Sequence, residues 1–522
     1  MSDRTDYDLF VIGGGINGCG IARDAAGRGL RVGLAEMGDL GSATSSASTK
    51  LFHGGLRYLE YFEFRLVRES LREREVLLRN MPHISWPMRF VLPLHRAMRF
   101  ESDTPTSRLL GWTMPWLKGR RPDWLIRAGL FLYDTMARSR LLPGTRTISL
   151  EGTPEGAPLE ARFEKAFEYS DCWVEDSRLV VLNARDAAER GADVMVRTRV
   201  ASAEQVDGHW RVALSDGRAV TARMLVNAAG PWVGDVIRGV VRSNAREGVR
   251  LVRGSHIVTR SLFDHGKCYF FQGEDGRIVF AIPYEYDYTL IGTTDVEHPD
   301  PDTPAECTPE ERDYLLAFVN RYLEADIGPD DVVRTYSGVR PLFDDGASSA
   351  SAATRDYVLK VDRSAGAPVL NVFGGKITTY RKLSNHALAK IVPILGGSGE
   401  WTHDAPLPGG DFAVHAVPDL VAGLRAAHPF LSDRDALRLV RAYGTQAAEM
   451  LGGAASWDDM GEGFGAGLSE REVRWQMDRE WARTADDVLW RRTKLGLKVD
   501  ADGRARLERF MADAQGAAEA AE

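Results

Sequence analysis

Cysteine is scarce in this chain, and the few that occur are widely spaced. Four cysteines stand among 522 residues, at positions 19, 172, 268 and 307, and no two of them form a C-x-x-C pair. This spacing argues against a disulfide framework or a cysteine-based zinc cluster and is typical of a reducing compartment. The 11 histidines include no H-E-x-x-H motif, so no metal site is predicted.

Long apolar runs and an excess of positive charge are also missing. No window of about 18 apolar residues occurs, so no membrane-spanning helix is predicted, although attachment to a membrane surface needs no such window. The N-terminus, MSDRTDYDLFVIGGG, lacks the pattern of a secretory signal, and a cytoplasmic protein is expected. The net charge of −8 gives no reason to expect nucleic-acid binding. The length allows roughly two to four domains.

The N-terminal segment has the pattern of a β-α-β unit. Residues 7–12 form an apolar run typical of a buried parallel strand. Residues 16–28 have helical composition, and residues 31–36 predict a second strand. The glycine-rich sequence G-G-G-I-N-G lies between the first strand and the helix and satisfies G-x-G-x-x-G. A dinucleotide site is therefore predicted here.

Each glycine of this motif has a separate physical reason. Gly13 makes the tight turn, Gly15 admits a pyrophosphate, and Gly18 lets helix and strand pack closely. Glu36, at the end of the second strand, is expected to accept hydrogen bonds from ribose hydroxyls. A carboxylate at this position repels a 2′-phosphate, which disfavours NADP.

Three features favour FAD over NAD. The site lies at the extreme N-terminus of the chain. The small-residue stretch GSATSSASTKLFHGG (41–55) offers hydroxyls and amides for a ribityl chain and a pyrophosphate, although it is also compatible with a flexible serine loop. LVNAAGPW (225–232) predicts a third strand close to the cofactor, although an ordinary strand-to-turn transition has the same pattern.

Further elements follow from periodicity and composition. Residues 62–80, 177–190 and about 378–395 predict helices, the second of them capped by Ser177 or Asp176. Residues 193–200, 210–215 and 219–230 predict strands, and 249–340 predict a mostly antiparallel sheet. After a linker at 403–411 the chain is expected to be helical to a frayed, alanine-rich end. The stretch 81–145 has no clear pattern.

A series of motifs resembles one family over nearly the whole chain. In order these are VIGGGINGCGIARDAAGRGL, ATSSASTKLFHGGLRYLE, EYSDCWVEDSRLV, VNAAGPW, GSHIV, IGTTD, TYSGVRPL, FGGKITTYRKL and DDVLWRRTKLGL. The series resembles FAD-dependent glycerol-3-phosphate dehydrogenase of the aerobic, respiratory type. Two parts depart from the pattern, the long segment 100–124 and the alanine-rich tail.

The resemblance implies a fold and a domain division. The expected fold is α/β, like that of glycine and D-amino-acid oxidases, with an FAD-binding Rossmann-like domain interwoven with an antiparallel-sheet substrate domain and a C-terminal helical domain. Residues 1–400 would form the oxidoreductase region and 401–522 the helical domain. The expected FAD-binding segments are about 1–95, 150–235 and 335–400, and the substrate segments are about 96–149 and 236–334.

The resemblance also implies a reaction, oxidation of sn-glycerol 3-phosphate to dihydroxyacetone phosphate, with electrons passing through FAD to a membrane quinone. The implied location is the inner face of the cytoplasmic membrane, bound peripherally, and a homodimer is left open. Two alternatives stand beside it. One is an oxidase of the same fold that uses O2 and makes H2O2, and the other is a flavin-binding regulatory protein without catalysis.

The expected cofactor residues lie in five segments of the chain. FGGKITTY (373–380) resembles the loop that lies against the flavin pyrimidine, where backbone N–H groups stabilise negative charge. The expected cofactor residues are Gly13, Gly14, Gly15, Ile16, Asn17, Gly18, Glu36, Thr44, Ser45, Ser46, Ser48, Ala229, Gly230, Gly374, Gly375, Lys376, Thr378 and Thr379.

Substrate and catalytic residues are expected beside glycine turns. Cations suit a phosphate dianion, and the candidates in matched motifs are Arg57, Arg340, Arg355 and Lys376, with the Tyr58 hydroxyl beside Arg57. Any one of them is also compatible with a surface ion pair, and Tyr58 with a packed aromatic.

A base must also lie within hydrogen-bond reach of the C2 hydroxyl. His53 in FHGGLRY and His256 in GSHIV are both candidates, with Arg340 as electrostatic help, although a histidine on a strand is often a core residue.

One segment has the composition of a membrane-facing surface. Residues 62–140 contain 15 Lys and Arg against 8 Asp and Glu, and they include Trp86, Trp112, Trp116 and Trp124. Aromatic and basic residues together suit an anionic lipid interface. A solvated basic face with buried tryptophans is an equal alternative.

Overall fold

The computed structural model describes residues 5–95, 123–137, 139, 141–242, 248–274, 276–344, 356–364 and 366–519, without the side chains of Arg57, Glu60, Ala518 and Glu519. The strands, in chain order, are β1 Tyr7–Ile12, β2 Val32–Ala35, β3 Leu51–Phe52, β4 Ser85–Leu94, β5 Arg146–Ser149, β6 Lys165–Val174, β7 Asp193–Met195, β8 Val200–Val206, β9 His209–Leu214, β10 Ala219–Asn227, β11 Val249–Arg260, β12 Cys268–Gln272, β13 Ile278–Tyr284, β14 Tyr288–Gly292, β15 Val296–Glu297, β16 Val332–Phe343, β17 Val358–Asp362, β18 Val369–Phe373, β19 Gly463–Gly465 and β20 Leu468–Ser469. The α-helices of five or more residues are α1 Ile16–Gly27, α2 Phe64–Asn80, α3 Asp123–Ala137, α4 Asp176–Glu189, α5 Pro309–Val319, α6 Tyr380–Leu395, α7 Val417–Ala427, α8 Asp433–Tyr443, α9 Ala447–Leu451, α10 Glu470–Glu480 and α11 Ala501–Glu519.

The first sheet is built around the predicted N-terminal β-α-β unit. Its main path is β17-β18-β10-β1-β2-β7, and the pairs from β18 to β7 are parallel. The strands β1, β2, β10 and β18 are buried over most of their length, as their continuous apolar runs predict. Because parallel strands end at the same edge, the four turns after β1, β2, β10 and β18 meet there.

Helices α1, α4 and α6 cover one face of this sheet and share one apolar core with it. The predicted cap of α4 is corrected. Its N-cap is Glu175 and makes no side-chain cap hydrogen bond. The carboxylate of Asp176 and the hydroxyl of Ser177 instead bind Lys50 and Lys494, both at 2.8 Å. Both candidate caps are therefore engaged by distant lysines, Asp176 in an ion pair and Ser177 in a hydrogen bond.

The second sheet has ten strands and is mostly antiparallel, as predicted for 249–340. Its path is β15-β11-β14-β13-β12-β4-β6-β3, with β16 on β11 and β5 on β6, and β12 with β4 is a parallel pair. The long strands β4 and β6 lie in segments that the sequence-based division gives to FAD binding, yet they pair in this sheet. The domain boundaries themselves stay a prediction.

Several local predictions need correction. The predicted strand at 193–200 is two strands, β7 and β8, which belong to different edges of the first sheet. The stretch 81–145, which has no clear sequence pattern, contains β4 and α3. The long segment 100–124 lies almost wholly outside the described residues. The tail is helical to Glu519 rather than frayed from its alanine-rich start.

The region after 400 is helical, as predicted, apart from the short hairpin of β19 and β20. It has two apolar clusters of its own. Within the described ranges, no helix combines the length and apolarity needed to cross a bilayer.

Candidate functional site

A cavity of about 1270 Å³ lies where the turns of the first sheet face the second sheet. Its lining combines turn residues from the first sheet with side chains from β11 and β16. Of the residues expected at the cofactor, those that line it are Gly13, Gly15, Ile16, Asn17, Glu36, Thr44, Ser45, Ser46, Ser48, Ala229, Gly230, Gly374, Gly375, Lys376 and Thr378. Segments that are far apart in the sequence therefore line one cavity.

The glycines of the turn after β1 have two different roles: some allow close backbone packing, and one leaves room in the cavity. A Cβ on Gly18 would lie 1.9 Å from the carbonyl oxygen of Gly13, so this glycine lets α1 and the turn touch. Gly13 itself has φ +108°, a conformation that favours glycine. A Cβ on Gly15 would meet only the Ser45 hydroxyl, at 3.3 Å, and Gly15 lines the cavity. The missing side chain of Gly15 therefore leaves room for a ligand.

Glu36 at the end of β2 is held by backbone amides. Its Oε2 accepts from the N–H of Gly14 at 2.6 Å, and its Oε1 accepts from the N–H of Gly38 at 2.7 Å. Burial raises the pKa of this carboxyl, and the two amides oppose that shift in part. Each carboxylate oxygen has a further lone pair, so Glu36 can still accept from ligand hydroxyls at the cavity wall.

The serine-rich stretch is ordered by specific bonds rather than flexible. The Ser45 hydroxyl accepts from the Ile16 N–H at 3.0 Å, at the start of α1. Thr44 donates to the carbonyl of Val339 at 2.6 Å. Ser48 donates to Asp176 at 2.8 Å, and the same carboxylate binds the buried ammonium of Lys50. The ion pair of Lys50 with Asp176 was not predicted, because no local pattern links residues so far apart.

The turn after β18 closes the cavity from the other side. Gly374 and Gly375 have φ of +72° and +105°, conformations that favour glycine. The side-chain amide of Asn17 donates to the Gly374 carbonyl at 3.0 Å and ties this turn to α1. Thr379 is buried just before α6 and, like Gly14 and Gly18, does not belong to the cavity lining.

Lys376 and Tyr58 meet at the cavity wall. The Lys376 ammonium lies 4.2 Å from the centre of the Tyr58 ring, a cation–π contact. The Nζ atom is buried, and among the described residues it has no hydrogen-bond partner. Buried ammonium groups are normally paired, so the site has a place for an anion.

Of the three other cations predicted for phosphate, only Arg340 has a described side chain. Arg340 also lines the cavity, but its guanidinium binds the carboxylate of Asp295 and lies 3.2 Å from the Thr293 hydroxyl. Its charge is therefore partly neutralised within the protein. Arg57 lies in the 3₁₀ segment Leu56–Tyr61, with its side chain outside the described part of the structure, and Arg355 lies outside the described residues.

The two predicted histidines occupy different environments. His256 is buried, stacks on Tyr336 with centroids 4.7 Å apart, and has Nε2 3.0 Å from the Thr49 hydroxyl. Burial, then the cations Arg340 and Lys50, hold its pKa well below the usual value, so the ring is neutral near pH 7. His53 is half-buried and lines the cavity on the turn before Gly54. His53 is thus the more accessible candidate base.

Residues near the C-terminus also line the cavity, which sequence reasoning missed. These are Trp490, Arg491 and Lys494. Arg491 and Arg492 both bind Asp39, just after β2, and the Arg492 contacts measure 2.8 Å. Their motif, DDVLWRRTKLGL, is one of those that carry the family resemblance. No local signal in the sequence connects it with the N-terminal strands.

Comparison with known proteins agrees with this geometry. The model of the family described as "FAD dependent oxidoreductase" matches residues 8–381, and the "C-terminal domain of alpha-glycerophosphate oxidase" matches residues 400–516. The chain belongs to the family of FAD-dependent oxidoreductases. Its cofactor is FAD, which the bare Gly15 position and the amide-held Glu36 fit.

Individual relatives show which kinds of FAD-dependent oxidoreductase this chain is similar to. The chain is 49% identical over 502 residues to D-erythritol 1-phosphate dehydrogenase of Brucella abortus, covering 95% of both chains. It is 47% identical over 511 residues to glycerol-3-phosphate dehydrogenase of Pseudomonas aeruginosa, covering 97% of this chain and 95% of that one. The FAD-complexed glycerol-3-phosphate dehydrogenase of Bacillus halodurans superposes with a TM-score of 0.70 at 26% identity, covering 95% of this chain and 87% of that one.

Proposed function

We propose that this protein oxidises sn-glycerol 3-phosphate to dihydroxyacetone phosphate and that the electrons pass to a membrane quinone. The names of the relatives support a polyol phosphate as the substrate class. The observation that carries the proposal is the buried Lys376 ammonium, which lies beside Tyr58 at the cavity wall with no hydrogen-bond partner among the described residues. A phosphate dianion supplies the missing acceptor.

In this mechanism the protein holds the substrate and removes one proton. Lys376 binds the phosphate as a point charge, and Arg57 and the Tyr58 hydroxyl assist it. His53 takes the proton of the C2 hydroxyl, while Arg340, anchored by Asp295, stabilises negative charge on that oxygen. Glu36 and the turns at Gly15 and Gly374 would hold FAD. Bound FAD would serve as the two-electron acceptor.

Anaerobic titration tests the reaction directly. The purified protein, with its FAD bound, is mixed with sn-glycerol 3-phosphate without oxygen, and the flavin absorbance near 450 nm is followed. We expect bleaching with one equivalent of substrate. D-erythritol 1-phosphate is a second arm, because one relative carries that name. An absorbance that stays constant with glycerol 3-phosphate contradicts the proposal, and bleaching by erythritol phosphate alone reassigns the substrate.

Turnover measurements distinguish a quinone from oxygen as the electron acceptor. We expect a water-soluble quinone analogue to support steady turnover without oxygen, and air alone to give little H2O2. Equal rates with air would favour the oxidase alternative. Sustained failure with both acceptors, after normal bleaching, would remove the quinone part of the proposal and leave the substrate part standing.

Exposed apolar side chains support peripheral membrane binding. Among them are Phe62, Phe64, Trp124, Phe131 and Leu132, which lie on α2, α3 and the turn before α2. Phe131 and Trp124 are 71% and 52% exposed.

The four tryptophans predicted for a membrane-facing surface have different environments. Trp86 packs on Trp173 at 5.7 Å, whereas Trp112 and Trp116 lie outside the described residues.

Removing two of these side chains should weaken binding to lipid. The double variant Trp124→Ser, Phe131→Ser is expected to bind anionic phosphatidylglycerol vesicles at least about tenfold more weakly at low salt, because each buried aromatic contributes about 1.5–3 kcal/mol. Co-sedimentation measures this. Trp457→Ser, which removes an exposed tryptophan of the C-terminal region, is the matched control and should bind like the wild type. A wild-type protein that stays in the supernatant would defeat the membrane proposal.

The two histidines should differ in their pH behaviour. The pKa of His256 lies well below 6.5, so its ring stays neutral as the pH falls through that value and charges only at lower pH. We therefore expect the acid limb of kcat/KM to survive in His256→Gln and to disappear in His53→Gln, measured from about pH 5 to 8. Loss of the limb in His256→Gln would show that His256 titrates there. His83→Gln is the control, since burial lowers the pKa of that histidine to about 3 away from the cavity.

A further inference from the structure

The turn that carries His53 is fastened from behind by a buried group of three side chains. The N–H of Gly54 donates to the Tyr133 hydroxyl at 2.8 Å. That hydroxyl donates to the carboxylate of Asp171, with both oxygens at 2.9 Å. Asp171 is neutralised by Arg74 at 2.5 Å, and the three side chains are each at most 2% exposed. Side chains from three separate parts of the chain thus meet behind one glycine.

From this arrangement we infer that Tyr133 is a positioning residue for substrate oxidation, acting through Gly54 on His53 and Tyr58. The inference rests on the proposed function. His53 and Asp171 line the same cavity, so the group lies directly behind the substrate wall. Gly54 packs closely against this group, because a Cβ at that position would lie 2.6 Å from the Tyr133 oxygen and 2.5 Å from the Leu71 side chain.

The chemistry of the group suits a fixed, directional bond. Burial and the Asp171 charge raise the pKa of Tyr133 well above its usual value, so its hydroxyl keeps its proton at all working pH values. Since the proton points to Asp171, the oxygen lone pairs are left to accept from the Gly54 N–H. Phenylalanine has the same ring but no oxygen, so it would leave this N–H with only the poorly placed Asp171 oxygen at 3.4 Å.

Tyr133→Phe tests the inference against a closely matched control. Tyr322 is also buried, and its hydroxyl likewise accepts a backbone N–H, that of Gln272 at 3.0 Å, but it does not line the cavity. We expect Tyr133→Phe to lower kcat/KM for sn-glycerol 3-phosphate by about 10- to 100-fold, since small displacements of catalytic groups have effects of this size. Tyr322→Phe should stay within about twofold. Both variants should keep their FAD and melt at similar temperatures.

A double variant separates positioning from general loosening. If Tyr133 acts by placing His53, its removal should change the single-turnover rate much less in a His53→Gln background. Effects that simply multiply would overturn the inference, and so would equal kinetics for Tyr133→Phe and Tyr322→Phe. Gly54→Ala is the second variant should Tyr133→Phe fold poorly. It keeps the tyrosine but pushes the turn away, and it should show the same kinetic loss.

Binding of inorganic phosphate keeps this inference distinguishable from the proposed function. Phosphate affinity, read from the perturbation of the flavin absorption band, needs no turnover. It should weaken in Tyr133→Phe and not in Tyr322→Phe, because Tyr58 follows the displaced turn. A wild type that binds phosphate but does not bleach with glycerol 3-phosphate would refute the proposed function alone. Unchanged phosphate affinity together with unchanged turnover in Tyr133→Phe would refute the positioning role alone.

Discussion

Replacing Gly15 with valine is expected to give a folded protein that contains almost no FAD. The position has an ordinary backbone conformation, φ −79° and ψ 179°, which valine can adopt. A Cβ there meets only the movable Ser45 hydroxyl, so the protein itself has room for the side chain. The added methyl groups point into the cavity where the pyrophosphate must approach the start of α1. We expect the flavin content to fall below about a tenth of the wild-type value.

Two comparisons give this result its meaning. FAD added at about 100 times its Kd should stabilise the wild type by about 2.7 kcal/mol, so the wild-type melting temperature rises with FAD and that of Gly15→Val does not. Gly423→Val, at an exposed open position on α7, is the matched control and should keep its flavin. Gly18→Ala should instead fold poorly, because its Cβ would overlap the Gly13 carbonyl. Full flavin in Gly15→Val would contradict the assigned cofactor path.

The second large effect is expected for Lys376→Met. Methionine has a similar length and no charge, so the variant removes the ammonium and keeps the packing against Tyr58. Losing one partner of a buried charged contact costs about 2–5 kcal/mol, and we therefore expect kcat/KM for sn-glycerol 3-phosphate to fall about 30- to 4000-fold. The folded protein should be no less stable, since the lost ammonium has no hydrogen-bond partner among the described residues.

Flavin content decides between the two roles predicted for Lys376. If the ammonium binds the substrate phosphate, the variant keeps its FAD and loses affinity for inorganic phosphate. If it binds the cofactor, the variant is purified with less FAD. Lys390→Met, at an exposed position on α6, is the control and should behave like the wild type. Unchanged kinetics in Lys376→Met would show that the Lys376 ammonium does not bind the substrate phosphate, and the proposed function would lose its main support.

The cofactor half of the site was predictable because its signals are local. The motif around Gly13, Gly15 and Gly18 and the carboxylate of Glu36 lie within one β-α-β unit, where strand, turn and helix have distinct patterns. The turns near Ala229 and Gly374 follow apolar runs typical of buried parallel strands, which fixes the edge at which they end.

The substrate half was less predictable because pairing across the fold decides it. Arg340 has the expected sequence setting, but its partner Asp295 comes from another strand end. The sequence showed His256 as a candidate base, whereas the burial that makes it a weak one depends on packing between β11 and β16. Helix α3, which supplies Tyr133, lies in a stretch rich in proline, tryptophan and arginine that has no clear periodicity.

The wall contributed by Trp490, Arg491 and Lys494 has a consequence for how the protein is made. A ribosome releases the chain from its N-terminus, and domains generally fold as they emerge. The nucleotide motif at Gly13 therefore emerges well before β18, which lies two strands from β1 in the same sheet and begins more than 350 residues later, and the wall residues emerge later still. The complete cavity can form only after Lys494 has been synthesised, so we expect FAD to reach its final environment after that point.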